Sequence, residues 1–123
     1  MDEQAPRWGR LTRRGEFQRA AKGRRVGASA FTLQANARPP ESAGEGPRAG
    51  LTVTKKTGDS PARHRIRRRL REALRRASAL DARADYDYVL VARREALSIP
   101  FDALVAEIAG AIRRAHARRD ARP

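Results

Sequence analysis

Two histidines, His64 and His116, and no cysteine make up the whole supply of imidazole and thiol in this 123-residue chain. Neither histidine has a second histidine four residues away, and no C-x-x-C occurs, so a protein-held zinc site is not expected. Asp81, Asp85 and Asp87 cluster, but in a stretch that reads as a linker, where carboxylates serve solvation. The G-x-G-x-x-G and P-loop signatures are absent, and no nucleophile stands beside a base. No metal site and no catalytic residue is assigned to the protein itself.

What the chain does carry is cationic charge. Lysine and arginine number 28 against 14 acidic residues, a formal net charge of +14. Residues 63–76 read RHRIRRRLREALRR: eight arginines opposed only by Glu72. Ile66, Leu70, Ala73, Leu74 and Ala77 recur at helical spacing and share one face. Arg65, Arg68, Arg71, Arg75 and Arg76 point elsewhere, and Arg63, Arg67 and Arg69 sit near the edges of the stripe. Such a helix docks on a core and presents a dense cationic surface to a polyanion. Nucleic acid is the first class of partner, with strongly salt-dependent binding; anionic membrane is the second and an acidic protein the third. The absence of cysteine excludes disulfides and fits a reducing cytoplasm. No apolar run reaches the length of a membrane span, and MDEQAPRWGR holds no signal segment, so export is not expected.

Elements must place these cations. Residues 1–10 read as a flexible tail with Trp8 solvated or loosely tucked. Residues 11–22 read as a short helix, with Thr12 as N-cap, Gly23 as C-cap, Phe17 as its largest apolar residue, and Arg13 and Arg14 in its first turn. Residues 26–37 alternate as one half-buried strand. Residues 38–50 are rich in proline and glycine and read as a mobile loop, with a further strand near 45–50 left unresolved by the pattern. Residues 51–56 form a strand ending in Lys55 and Lys56. Ser60 and Pro61 open the central helix, which runs to about residue 80 before a linker at 81–85. Residues 86–92 read as a strand covered on both faces, and 93–97 show no clear period. A last helix starts near Pro100 with Phe101, Leu104, Val105, Ile108 and Ile112 as its stripe, and 117–123 form a tail. This order predicts one domain, residues 11–116, with an α/β (α+β) sandwich: a small mixed β-sheet packed with helices, in the order α-β-β-(β)-α-β-α. The strand after the cationic helix argues against a helix-turn-helix and favours RNA over DNA. Phe31 either stacks an unpaired base on an open sheet face or belongs to the core, and Phe17 has the same two readings.

KKTGDSPARHRIRRRLREALR, residues 55–75, resembles the signature of the bacterial ribonuclease P protein subunit: a lysine-ending strand, a glycine turn, then R-N-R-x-(K/R)-R-x-x-R-E. Gly58, Arg63, Arg65, Arg67, Arg68, Arg71 and Glu72 match; His64 replaces the usual asparagine and Asp59 a common lysine. Residues 11–25, 30–35, 85–93 and 99–108 are similar to flanking parts of the family, with Phe17 on its recurring phenylalanine. Ala21 and Gln34 stand where some relatives have phenylalanine and tyrosine, so the aromatic surface is thinner here.

The resemblance implies a left-handed crossover around the central helix. It also implies a function: the protein cofactor of ribonuclease P, a cytoplasmic partner of a catalytic RNA that removes the 5′ leader of precursor tRNA. The chemistry would be that of magnesium ions bound mainly by the RNA, the protein alone being non-catalytic and, when free, monomeric. On this resemblance Lys55, Lys56, Arg63, His64, Arg65, Arg67, Arg68 and Arg71 face the catalytic RNA, and Phe17, Phe31, Arg13 and Arg14 are candidates for the leader cleft. The alternative is a structural RNA-binding protein such as a small ribosomal protein, which the signature at 63–72 disfavours.

Overall fold

In the computed structural model, which describes residues 8–42, 46–77 and 82–117, the hydrophobic alternation of the strands is resolved into two unequal faces. Eight elements follow one another: β1 (Gly9–Arg10), α1 (Arg14–Ala21), β2 (Arg24–Gly27), β3 (Phe31–Ala37), β4 (Arg48–Thr52), α2 (Ser60–Arg76), β5 (Tyr86–Ala92) and α3 (Phe101–Ala115). Short 3₁₀ turns occupy Pro40–Ser42, Lys55–Thr57 and Arg94–Leu97. The sheet is mixed, in the order β1-β4-β5-β3-β2. β4 runs parallel to both β1 and β5, while β3 is antiparallel to β5 and to β2. The fold is the α+β class expected, and the parallel β4–α2–β5 unit is the crossover around the central helix.

Registers Phe31↔Ala92, Leu33↔Leu90 and Ala35↔Tyr88 put these six buried side chains on one face of the sheet. Ile66, Leu70 and Ala73 of α2 and Leu104, Ile108 and Ile112 of α3 complete that core. The alternate residues of β5 turn the other way, where Val89 joins Leu11 and Ala20, with Phe17 and Val91 packed against them. β5 is therefore covered on both faces, as its continuous apolar run predicts. Among the described residues the second face is covered by the eight residues of α1 and by Leu11 before it, so part of it, with Thr32, Gln34 and Val91 half-buried, stays open.

Several boundaries differ from the sequence reading, each for a local reason. The alternation over 26–37 predicts one strand; the chain makes a hairpin, with Ala28 N–H donating to the Phe31 carbonyl (2.9 Å). The small residues Gly27, Ala28, Ser29 and Ala30 fit a turn as well as a strand. Residues 48–50, placed in the mobile loop, are paired in β4, and this is the strand the pattern left unresolved. β1 and Trp8 fall inside the expected tail; the indole Nε1 donates to the Leu74 carbonyl (3.1 Å) and the ring meets Tyr88 edge-on at 5.7 Å, so Trp8 is tucked against the domain and half-buried. α1 starts at Arg14, with Thr12 outside it and Lys22 rather than Gly23 as C-cap. Asp59, not Ser60, caps α2, its carboxylate accepting from Ala62 N–H (3.0 Å), where an anion also suits the helix dipole. Lys55 and Lys56 lie in a 3₁₀ turn rather than at a strand end. α2 ends at Arg76, and Ala77 has left helical geometry (ψ 132°). The expected continuation over 78–80, the start of the linker at Asp81, the centre of the loop at 43–45, and the tails at 1–7 and 118–123 lie outside the described residues.

Candidate nucleic-acid interface

The apolar stripe of α2 decides where its arginines go. With Ile66, Leu70, Ala73 and Leu74 buried, the opposite side carries His64, Arg65, Arg68, Arg71, Arg75 and Arg76, all exposed. Arg63, Arg67 and Arg69 flank the stripe, partly covered, as the helical spacing predicts. Arg69 is spent on the fold: it donates from Nη1 to the Ala96 carbonyl (2.7 Å) and from Nη2 to the Ile99 carbonyl, pinning the segment that leads into α3. The Nε of Arg63 is buried and has no hydrogen-bond partner among the described residues. Glu72, the single acid of α2, is paired with Arg75 (2.9 Å) and Arg76 (3.5 Å). Lys55 and Lys56 are exposed in the turn just before the helix. That turn is held by Thr57 Oγ1 donating to the Thr54 carbonyl (2.7 Å) and by Gly58 at φ +150°, a conformation glycine supplies without strain. All eight predicted RNA-facing residues thus fall on α2 or the turn that opens it.

The leader-cleft candidates divide. Arg13 and Arg14 are exposed at the start of α1, and Phe17 is half-buried on the open face of the sheet. Phe31 is not there: its side chain points to the other face and is 0% exposed, inside the core formed with α2 and α3. The period of two runs correctly through Phe31, but periodicity does not say which face of a sheet is closed. The open face carries instead Thr32, Gln34 and Val91, all half-buried, and the exposed Arg25, opposite Gln34 across β2 and β3. Exposed Arg93 donates from Nη2 to Thr32 Oγ1 (3.2 Å) at the end of the same surface. That Arg25 and Arg93 share this face depends on the hairpin at 28–30, which the local alternation does not reveal.

A chain of ion pairs joins α1 to β4 and β5. Glu16 accepts from the Thr12 and Arg13 backbone N–H groups (2.9 and 3.0 Å) and pairs with Arg48 (3.3 Å). Arg48 makes a two-pronged bond to Asp87, Nε to Oδ1 and Nη2 to Oδ2, each 2.8 Å. Arg38, buried, donates to the same Oδ1 at 3.0 Å. The backbone bond from Arg13 holds the Glu16 carboxyl below its usual range against the opposing effect of burial. Burial pushes Asp87 up, and hydrogen bonds from Arg48 and Arg38 outweigh it, leaving its carboxyl below its usual value. These acids are committed to the fold, as Asp59 is to its cap. Among the described residues no group of three or more His, Cys, Asp or Glu could hold a metal ion, and no helix is long and apolar enough to cross a membrane.

Between α2 and the β1 edge, continuing past Gly9 and Arg10 to Phe17, runs a cleft of about 800 Å³. One wall is cationic, with Arg67, Arg68, Arg71 and Arg75; Trp8, Ala49, Leu51 and Leu74 are among its apolar lining.

A family model described as Ribonuclease P matches residues 5–116. The ribonuclease P protein component of Ruegeria pomeroyi is 43% identical over 108 residues, covering 87% of this chain and 86% of that protein. That of Brucella suis is 40% identical over 104 residues, covering 80% and 74%. Among solved structures, the RNase P protein of Staphylococcus aureus superposes with a TM-score of 0.71 at 23% identity, over 89% of this chain and 97% of that one. The Thermotoga maritima RNase P protein does so with a TM-score of 0.69 at 20% identity, over 85% and 96%.

Proposed function

The chain belongs to the ribonuclease P protein family, and we propose that, as the protein subunit of that RNA-processing endoribonuclease, it binds the catalytic RNA through α2 and the preceding turn. The observation that carries the reading is the division of α2 into a buried stripe and an exposed face bearing Arg65, Arg68 and Arg71. Arginine forks match phosphate oxygens, and each phosphate contact releases counterions. The 5′ leader of precursor tRNA lies on the open sheet face, with Phe17 offering a ring edge and Arg13, Arg14, Arg25 and Arg93 offering charge. The protein lowers the electrostatic cost of bringing two polyanions together, which is greatest when few cations are present.

Hydrolysis itself belongs to the RNA and the magnesium ions it binds, which activate water. Glu16, Asp59, Glu72 and Asp87 are each engaged by backbone N–H groups or arginines, and in this reading the protein holds and orients RNA. The working form is a cytoplasmic ribonucleoprotein built from a monomeric protein. The test is precursor-tRNA cleavage at low magnesium by a bacterial ribonuclease P RNA, with and without the chain. Correct 5′ maturation that appears or accelerates only with the chain supports the reading, and the chain alone is expected to cleave nothing. A folded, RNA-binding chain without effect on any cognate RNA overturns it.

A further inference from the structure

We propose that the groove between α2 and the β1–β4 edge is a separate subsite that takes one unpaired base of the catalytic RNA. The inference rests on the ribonuclease P reading and adds a contact of a different chemistry to it. On α2, Arg67, Arg71 and Leu74 are spaced by four and three residues and so share one flank, the side turned toward β1 and β4. The opposite flank belongs to Arg69 and Arg76, which face Ile99 and the Phe101 ring. In β4, Ala49 and Leu51 alternate with Gly50 and pack toward the α2 core, whereas Gly50 faces Phe17. The floor of the groove is therefore Trp8, Ala49, Leu51 and Leu74, and its rim is Arg67 and Arg71.

Three features select the occupant. First, Trp8 is held in place: its Nε1 is bonded to Leu74, its ring rests edge-on against Tyr88, and part of it remains exposed. A fixed aromatic loses little entropy when another ring stacks on it. Second, among the described residues lining the groove the one acid, Glu72, is already paired with Arg75 and Arg76, so the rim they form is cationic. An apolar floor under a cationic rim matches a base with its flanking phosphates, the combination that single-stranded RNA presents. Third, the rim is continuous with the exposed arginine face of α2, whereas Phe17 meets the cleft only at its far end, past Gly9 and Arg10, and the rest of the open sheet face lies on the other side of β4. The base thus comes from the RNA that α2 holds, and not from the leader.

Trp8 is the only tryptophan in the chain, so its emission reports on the groove. The full chain is titrated with a bacterial ribonuclease P RNA in the absence of precursor tRNA, binding being followed separately by the anisotropy of end-labelled RNA. The expected result is quenching of Trp8, and its protection from acrylamide, over the same concentrations as binding. Ala49→Phe fills the groove; it is expected to weaken RNA binding about tenfold, of the order that stacking of one base contributes, and to abolish the quench. An RNA that binds while Trp8 emission and acrylamide access stay unchanged overturns the proposal, whatever the variant does. Quenching by a leader oligonucleotide or a glutamate-rich peptide, but not by the catalytic RNA, assigns the groove elsewhere and also overturns it. Absence of RNA binding by anisotropy removes the ribonuclease P reading as well, which separates the two failures.

Discussion

Phe17 closes directly over Gly50: a Cβ at residue 50 would lie 2.7 Å from the ring carbons Cε2 and Cζ and 3.1 Å from Leu11 Cβ. The half-buried ring packs there against the cluster of Leu11, Ala20 and Val89. Gly50→Ala must push the ring, and α1 with it, off the sheet. The expected cost is about 1–3 kcal/mol in denaturant unfolding, the usual range for overpacking. Leader affinity should fall while catalytic-RNA binding through α2 is retained. A stable variant with unchanged leader affinity would detach Phe17 from the leader cleft.

Arg68 and Arg69 are sequence neighbours with different work. Arg65→Ala with Arg68→Ala removes two exposed cations and should leave the melting temperature nearly unchanged. The slope of log K against log salt for the catalytic RNA should drop by about 1.4–1.8, two contacts at roughly 0.7–0.9 each. Arg69→Ala should do the reverse. It strands the Ala96 and Ile99 carbonyls, costing about 1–3 kcal/mol of stability with little change in salt slope. Equal behaviour of the two variants would contradict this division of the helix.

Asp87 balances two arginines in a buried site, with only 3% of its side chain exposed and Arg38 at 0%. Asp87→Leu removes the carboxylate that Arg38 and Arg48 both bond in this buried site and should cost about 3–5 kcal/mol. Glu16 and Asp87 both have folded pKa values below their usual 4.5 and 3.8. The unfolded chain then binds protons first on acidification. Their stabilisation is complete above those usual values and is lost as pH falls through the folded ones. Chemical denaturation between pH 6 and pH 2 should show this loss, and Asp87→Leu should show less of it.

Tyr88 and His116 predict a second, milder pH dependence. The Tyr88 oxygen accepts from Arg83 N–H (2.8 Å) and lies 2.6 Å from His116 Nε2. Burial pushes the phenol up to about 12. Burial, reinforced by Arg83, holds the imidazole below its usual 6.5. A histidine depressed in the folded state contributes stability above about pH 6.5 that is lost as pH falls through its folded pKa. His116→Phe should flatten that part of the stability profile; an unaltered profile would exclude this pair as its source.

The sequence alone carried the cationic helix, its buried stripe and the sorting of its arginines, because helical periodicity is local and the stripe is strongly apolar. It also carried the strand at 86–92, where a continuous β-branched and aromatic run admits few alternatives. The family signature lies in the same stretch and was legible for the same reason. Tertiary structure alone decided which face of the sheet is closed, and with it the fate of Phe31, which alternation can place on a face without saying what covers that face. It decided that Gly9–Arg10 pair with Arg48 and Ala49, since neither stretch is long or apolar enough to form a strand without its neighbour. It also brought Glu16, Arg38, Arg48 and Asp87 into one ionic chain, and Trp8 against Leu74 across 66 residues. Those contacts join distant segments, and no local spacing encodes the packing that brings them together.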